Sequence, residues 1–406
     1  MRYSVICYTY HMSLFSPQKD SDVFLVFDIG SGSVGGALIL TSATHTPTLL
    51  YSFRSEIPFQ EEATGLRLLS LMLRALSQVV LAIVHEGFEV AGFGSHRPRI
   101  QEALISLSAP WVISKTFFLR LRNKEPMLIT ENVFTGLLQE SEKNAESEDK
   151  DIPKGSVQIE QKLIKSVLNG YETSLPYGKL AYEAEFAVLG GFSVPRVTEK
   201  ITDTITQLLH AKHLTFHSFS LIAFAMLREL YPAEENFLFA DISGEQTEIS
   251  VAKKGVLVET VTFPFGKNHL IRSLKKDTNI PAGGASALFK LYAEDAGTGK
   301  LFERTKKLLD TAGKDWQTRF MKTLSDFSGE VFLPKTLFLT ADDDVLPIFK
   351  KAIASGDVSS FTISSSPFQI IAVQGGTLSP LIRTGTSYSH DPFIEMVSAF
   401  ANRVRR

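Results

Sequence analysis

The strongest constraint on the fold is a strand–turn–strand pattern that occurs at two distant places in the chain. The first copy, FLVFDIGSGSVGGALIL, begins at Phe24, and the second copy, FLFADISGEQTEISVA, begins at Phe237. In each copy an apolar strand ends in an Asp-Ile pair, small or polar residues follow, and β-prone residues then resume. An internal repeat of this kind predicts two similar halves that face each other.

The glycines of the first copy do not form a dinucleotide-binding turn. Gly30, Gly32 and Gly35 have the G-x-G-x-x-G spacing, but that fingerprint requires a helix directly after the glycines and an acidic residue about 20 positions later. Here the next residues, ALILTSATHTPTLLYSF, form two β-prone runs around a Thr/Pro turn, and Asp28 precedes the glycines. The pattern therefore predicts a β-hairpin.

A hairpin of this kind can hold phosphate. Gly30 and Gly32 allow the backbone to approach a ligand closely. The hydroxyls of Ser31 and Ser33 and the backbone N–H groups can then reach phosphate oxygens. Asp28, at the end of the first strand, is placed to hold Mg²⁺ through water. A glycine hairpin capped by an aspartate would explain one copy equally well, and the second copy favours the phosphate interpretation.

Two hairpins that hold one nucleotide between them are the design of the actin-like ATPase superfamily, which this chain resembles. The resemblance implies a two-lobed α/β fold of the ribonuclease H-like kind, with ATP and Mg²⁺ as cofactors. It implies metal contacts for Asp28 and Asp241 and no assigned catalytic residue. The nucleotide contacts that it implies are Asp28, Gly30, Ser31, Gly32, Ser33, Asp241, Ser243, Gly244, Thr247, Gly266, Gly283 and Gly284.

The segment between the hairpins resembles the small α/β subdomain, of the SHS2 type, that is inserted in the bacterial cell-division protein FtsA and in the pilus protein PilM. The similarity depends on LNGY after IEQKLIKSV, and on VTEKITDTITQLL before LTFHSFSLIAFAML. The charged run ESEKNAESEDKD within it predicts a solvent-facing loop. The domains expected are a disordered leader (1–21), lobe I (22–106 and 198–236), the inserted subdomain (107–197), lobe II (237–345), and a return to the lobes with a C-terminal helix (346–406).

The nucleotide motifs depart from those of the relatives. Where the adenosine motif of the relatives has two glycines, this chain has Ala341 and Asp342. A Cβ atom there crowds the nucleotide. Asp343 and Asp344 follow, and three carboxylates repel a polyphosphate unless a metal ion lies between them. We therefore expect at most a weak ATPase, with an inactive scaffold as the alternative.

Composition limits the class of protein and the compartment in which it works. The chain is 44% hydrophobic and 21% charged with a net charge of −2, which suits a globular protein and gives no field that attracts nucleic acid. Cys7 is the single cysteine, so the chain suits a reducing compartment such as the cytoplasm.

The first twenty residues do not have the pattern of a signal peptide, and Met12 is an alternative start. Arg67 and Arg74 interrupt the apolar segment 65–87, which favours a buried helix over a membrane span.

The C-terminal segment SHDPFIEMVSAFANRVRR has two interpretations. Asp391 and Pro392 start a helix whose apolar residues recur at helical spacing. The resemblance to FtsA implies an amphipathic helix that anchors on the inner membrane. The alternative is a helix that closes the actin-like domain, with basic residues at its C-terminal end.

Together these features predict a cytoplasmic, FtsA-like ATP-binding adaptor of the bacterial cytoskeleton in cell division. It would link FtsZ-type filaments to the inner membrane, with self-association into filaments as an open question. One alternative is a PilM-like platform protein of a type IV pilus, which binds the N-terminal tail of a pilus membrane protein. The other is a pseudo-ATPase scaffold. No motif supplies the carboxylate base that a sugar kinase of this superfamily needs.

Overall fold

Three β-sheets organise the chain, one in each lobe and one in the inserted subdomain. The computed structural model describes residues 21–405 apart from 62–63, 95–97, 99, 101, 149–151, 279–280, 328–331, 359–360, 362–365 and 385–389. The predicted leader therefore lies almost wholly outside the described residues.

Groups of strands and helices follow one another along the chain. The strands are β1 (Ser21–Ile29), β2 (Ser33–Ser42), β3 (Thr48–Glu56), β4 (Glu102–Leu107), β5 (Ile113–Leu128), β6 (Val157–Leu168), β7 (Tyr171–Glu172), β8 (Leu180–Ser193), β9 (His213–Ser218), β10 (Phe237–Ile242), β11 (Thr247–Lys253), β12 (Val256–Phe263), β13 (Thr336–Ala341), β14 (Gln369–Ala372) and β15 (Arg383–Thr384). The helices are α1 (Gly65–Ala82), α2 (Phe88–Val90), α3 (Glu131–Glu148), α4 (Pro195–Leu209), α5 (Phe219–Leu230), α6 (Lys267–Thr278), α7 (Ala285–Glu294), α8 (Gly299–Phe327), α9 (Leu346–Ala354) and α10 (Pro392–Arg405).

Lobe I is a six-stranded sheet in the order β15-β3-β2-β1-β4-β9. Strands β1, β2 and β3 form an antiparallel meander, and β4 lies parallel to β1. Side chains alternate along β1 because successive residues of a strand face opposite sides. Leu25 and Phe27 pack under α1 and α4, whereas Phe24 and Val26 pack under α5 and α10. The sheet is thus covered on both faces.

Lobe II repeats this plan in a five-stranded sheet, β12-β11-β10-β13-β14. Strands β10, β11 and β12 again form an antiparallel meander, and β13 again lies parallel to the first strand. Its core includes Trp316 of α8, which is fully buried and stacks on Phe320 with ring centroids 4.9 Å apart. The predicted internal repeat, the two-lobed α/β fold and the hairpin after Asp28 are confirmed.

The inserted subdomain leaves lobe I after β4 and returns at α4. Its antiparallel sheet has the order β5-β8-β6-β7, and Phe134 and Leu138 of α3 pack on one face. The prediction of a loop at ESEKNAESEDKD is wrong for most of its length, since α3 continues to Glu148. Glu160 of β6 fixes the subdomain to lobe I, because its carboxylate accepts a hydrogen bond from the backbone N–H of Ser218 at 3.0 Å.

The apolar segment predicted to be a buried helix forms α1, which continues through a π-helical turn (Ile83–Gly87) into α2 and ends at Val90. Among the described residues, Gly65–Val90 is the one helix with the length and composition to cross a membrane. Met72, Leu76 and Val79 are fully buried in the core of lobe I. The inner face of this helix is therefore part of the protein core.

The C-terminal helix α10 closes lobe I. Ten of its 14 residues are buried, and Ile394, Met396 and Val397 have no exposed surface. At its C-terminal end, the Arg405 guanidinium lies 4.6 Å from the centre of the Phe24 ring. The structure therefore supports the domain-closing interpretation. The membrane-anchor interpretation does not fit, because the apolar face of the helix is covered by the sheet of lobe I.

Candidate functional site

The turns that follow β1 and β10 meet at the boundary between the lobes. The Ser31 and Ser243 hydroxyls are 2.7 Å apart, and the Glu245 backbone N–H donates to the Ser31 hydroxyl at 2.9 Å. Asp28 and Asp241 lie behind these turns, and each is 3% exposed. The two turns that the repeat singled out therefore share one cleft.

Most of the predicted nucleotide contacts surround this cleft. Its predicted lining residues are Asp28, Gly30, Gly32, Ser33, Asp241, Ser243 and Gly244. Arg54, Ser108, Ile242, Asp342 and Phe393 complete the lining. The fold thus brings these predicted contacts together in one cleft. That they bind a nucleotide stays a prediction.

The other predicted contacts have local roles. Thr247 is fully buried; its hydroxyl donates to the Phe265 carbonyl at 2.6 Å and accepts from the Trp316 indole at 2.9 Å. A Cβ on Gly266 would lie 2.2 Å from the Ser243 carbonyl oxygen, so this glycine allows its own turn to pack on the second hairpin. Gly283 and Gly284 precede α7 and do not line the cleft.

Arg54 of β3 lines the cleft and was not predicted from the sequence. Its Nη2 lies 2.9 Å from Asp28 Oδ2, its Nη1 donates to the Ser33 hydroxyl at 2.9 Å, and its Nε lies 2.6 Å from Asp391 Oδ2. Gly35 pairs with Arg54 across the strands, and a Cβ on Gly35 would lie 2.8 Å from Nη2. The third glycine of the G-x-G-x-x-G spacing therefore makes room for a guanidinium group.

The buried carboxyl groups of the cleft hold their protons more tightly than exposed ones. Burial raises the pKa of Asp28, although Arg54 opposes the shift. Burial also raises the pKa of Asp241 to about 7, against a hydrogen bond from the Thr340 hydroxyl at 2.7 Å. A carboxyl group that is partly protonated near neutral pH is a poor ligand for Mg²⁺, since the metal binds the carboxylate.

A lysine compensates the acidic run that replaces the glycines of the adenosine motif. Lys267 Nζ lies 2.9 Å from Asp342 and 3.0 Å from Asp344. The Ser286 hydroxyl also donates to Asp344 at 2.6 Å. The repulsion expected from these carboxylates is therefore reduced by a neighbouring cation instead of a metal ion.

The cleft does not fit Mg²⁺-ATP in this arrangement. Its volume is about 20 Å³, roughly the space that one water molecule needs. A triphosphate would have to separate the two turns and break their hydrogen bonds. The described residues also contain no cluster of three His, Cys, Asp or Glu side chains that could hold a metal ion.

We expect Gly244→Ala to destabilise the protein by about 2–3 kcal/mol, because the added Cβ would lie 2.5 Å from Gly32 Cα and overpacking against backbone cannot relax easily. The matched control is Gly283→Ala, where a Cβ meets no atom within 4 Å, and it should change stability by less than about 0.5 kcal/mol. Chemical denaturation of both variants measures the difference. Equal effects would show that the turns are not in contact.

Comparison with known proteins identifies the fold. No protein-family model and no curated protein sequence matches the chain. Among solved structures, a chain of the PilM–PilN type IV pilus biogenesis complex matches with a TM-score of 0.57 and 14% identity, over 94% of this chain and 96% of that chain. The fold is that of the actin-like ATPases.

Other proteins with the actin-like fold match over similar lengths. The ethanolamine utilization protein EutJ from Carboxydothermus hydrogenoformans has a TM-score of 0.43 and 12% identity, over 94% of this chain and 89% of that chain. A non-polymerising MamK variant bound to AMPPNP has a TM-score of 0.37 and 10% identity, over 95% and 99%. At these identities the likeness concerns the fold alone, and an FtsA-like role stays a prediction.

Proposed function

We propose that this protein is an actin-fold adaptor of the PilM kind, which serves a pilus-type machine at the inner membrane. The observation that supports this role is the match to the chain from the PilM–PilN complex, which extends over 94% of this protein, both lobes and inserted subdomain included. The PilM-like alternative is therefore preferred to the FtsA-like cell-division role. The partner would be a short cytoplasmic tail of a PilN-type membrane protein.

The geometry suits an adaptor better than an enzyme. The lobes contact each other directly through Ser31 and Ser243, and Glu160 ties the inserted subdomain to lobe I. Such contacts hold the surfaces of the three parts in fixed relative positions. Among the described residues, the two buried aspartates of the cleft already have partners, since Asp28 is paired with Arg54 and Asp241 accepts from Thr340. We propose that the role does not require ATP hydrolysis.

The buried C-terminal helix constrains how such an adaptor reaches the membrane. Because α10 is packed in lobe I, its apolar face is not available to lipid. In this proposal, contact with the membrane comes through the tail of the membrane-bound partner.

A peptide-binding experiment tests this function. We expect the full-length protein to bind a peptide from the N-terminal tail of a PilN-type protein encoded in the same genome, with a Kd in the micromolar range or below, by isothermal titration calorimetry. A scrambled version of the peptide is the control. The C-terminal peptide of FtsZ from the same genome should not bind. Binding of the FtsZ peptide alone would replace this proposal with the cell-division role.

A further inference from the structure

We infer that the protein's own side chains take the places of nucleotide and metal in the interlobe cleft, so that the lobes are held closed without a ligand. This inference is independent of the pilus proposal, since it concerns the cleft and not the partner. It is drawn from the disagreement between the residues in the cleft and the Mg²⁺-ATP that the fold implies.

The first element is a cation in place of a metal ion. The resemblance assigns Asp28 to Mg²⁺, but Oδ2 of Asp28 is already 2.9 Å from the Arg54 guanidinium. Arg54 also reaches Asp391 and Ser33, so one group bridges β1, the first turn and the start of α10. The guanidinium keeps its charge at all accessible pH values and matches carboxylates with several donors. A metal ion at Asp28 would have to displace the guanidinium from this carboxylate and would lie next to its positive charge.

The second element is contact between the turns in place of phosphate. Three backbone N–H groups of the two turns, of the kind that can bind phosphate, donate to protein atoms here. The Gly30 N–H donates to the Ser33 carbonyl at 3.1 Å, and the Ser243 N–H donates to the Gln246 carbonyl at 3.0 Å. The Glu245 N–H donates across the cleft to Ser31 at 2.9 Å. The three donors are therefore satisfied in the absence of phosphate.

The third element fixes the second turn on lobe II. Glu245 is 8% exposed, and its carboxylate accepts from Arg272 at 2.7 Å and from Asn268 at 2.8 Å. Because Glu245 stands next to Gly244, this pairing holds the turn against Gly32 of the first lobe. Each carboxylate at the boundary thus has a cation or a hydrogen-bond donor from the protein itself.

The inference makes a direct prediction for the unaltered protein. Millimolar MgCl₂, ATP, or both together should leave its melting temperature unchanged, measured by differential scanning fluorimetry with the full-length chain. An increase of several degrees with Mg²⁺-ATP would overturn the inference, because a ligand that binds the folded state must raise its stability. This measurement uses the unaltered protein, so it tests the inference even if the variants described below do not fold.

Removing Arg54 should create a metal-dependent protein. In Arg54→Ala, the Asp28 and Asp391 carboxylates lose their shared cation, and Asp28 Oδ1 has no hydrogen-bond partner among the described residues. We expect millimolar Mg²⁺ or Ca²⁺ to raise the melting temperature of this variant by about 3 °C or more. Arg54→Lys keeps a cation and should show no such rise. A folded Arg54→Ala protein that ignores both ions would overturn the assignment of Arg54.

Arg272→Ala is the matched control for this substitution. The Arg272 side chain is 25% exposed and that of Arg54 is 23% exposed, and each pairs with a buried carboxylate at the boundary between the lobes. Loss of Arg272 leaves only one carboxylate, Glu245, which is too few ligands for a divalent ion. The melting temperature of Arg272→Ala should be lower than that of the unaltered protein, and it should not rise when Mg²⁺ or Ca²⁺ is added. An equal metal response in both variants would indicate a nonspecific ionic effect and overturn the inference.

Discussion

A chain that ends at His390 is expected to be unfolded or insoluble, because helix α10 forms part of the core of lobe I. Ile394, Met396, Val397 and Phe400 are each at most 6% exposed. Burial of a side chain of this size stabilises a protein by about 1.5–3 kcal/mol. The loss of four such side chains is on the order of 10 kcal/mol, which is comparable to the whole stability of a typical domain. Soluble expression, size-exclusion chromatography and circular dichroism measure the outcome.

A shorter deletion separates loss of the core from loss of the basic end. A chain that ends at Val404 removes Arg405, whose ion pairs with Asp22 and Glu102 span 3.6 and 3.7 Å at the surface. Such pairs contribute about 0–1 kcal/mol, so this chain should fold. If the chain that ends at His390 were folded and had merely lost binding to liposomes, the membrane-anchor interpretation would be restored.

The sequence was sufficient for features that depend on local pattern. The Asp-Ile pairs mark the ends of β1 and β10 because an apolar run must stop where the chain turns, and the β-prone residues after the glycines argue against a helix start. The long apolar segment 65–87 also predicted α1, and the apolar and β-prone runs predicted the strands around each turn. These features depend on residues that are close in sequence. The two copies of the repeat also predict the same local structure, so each copy supports the other.

Long-range pairing could not be read from the sequence. Arg54 and Asp391 are 337 positions apart, and neither residue has a local pattern that predicts an ion pair in the cleft. Lys267 and Asp342 are likewise 75 positions apart. The charged end of α3 was missed for a different reason. Glu and Lys are good helix formers, so a charged run can continue a helix as readily as it can form a loop.

The stability gain from Glu248→Gln is expected to increase with pH. Glu248 is 4% exposed on β11, and burial raises its pKa to about 8, with the negative charge of Asp241 adding to the shift. In the unfolded chain this carboxyl ionises near pH 4.5. The folded state therefore binds more protons between these values, and its stability falls as the pH rises from about 4.5 through about 8. Glutamine keeps the shape of the side chain and removes the titration.

The free energy of unfolding of Glu248→Gln should be close to that of the unaltered protein at pH 5. At pH 9 it should be higher by roughly 2–4 kcal/mol. Melting temperatures of the two proteins across this range give the difference directly. Glu183→Gln is the control, since that carboxylate is an exposed partner of Arg122 and loss of an exposed ion pair changes stability by only about 0–1 kcal/mol. Asp241, with a pKa raised from 3.8 to about 7, is unchanged in both variants, so the stability of both should still fall by a smaller amount as the pH rises from about 4 to about 7. A constant difference at all pH values would mean that Glu248 is ionised in the folded protein, and that Ser220 and its other neighbours stabilise the charge.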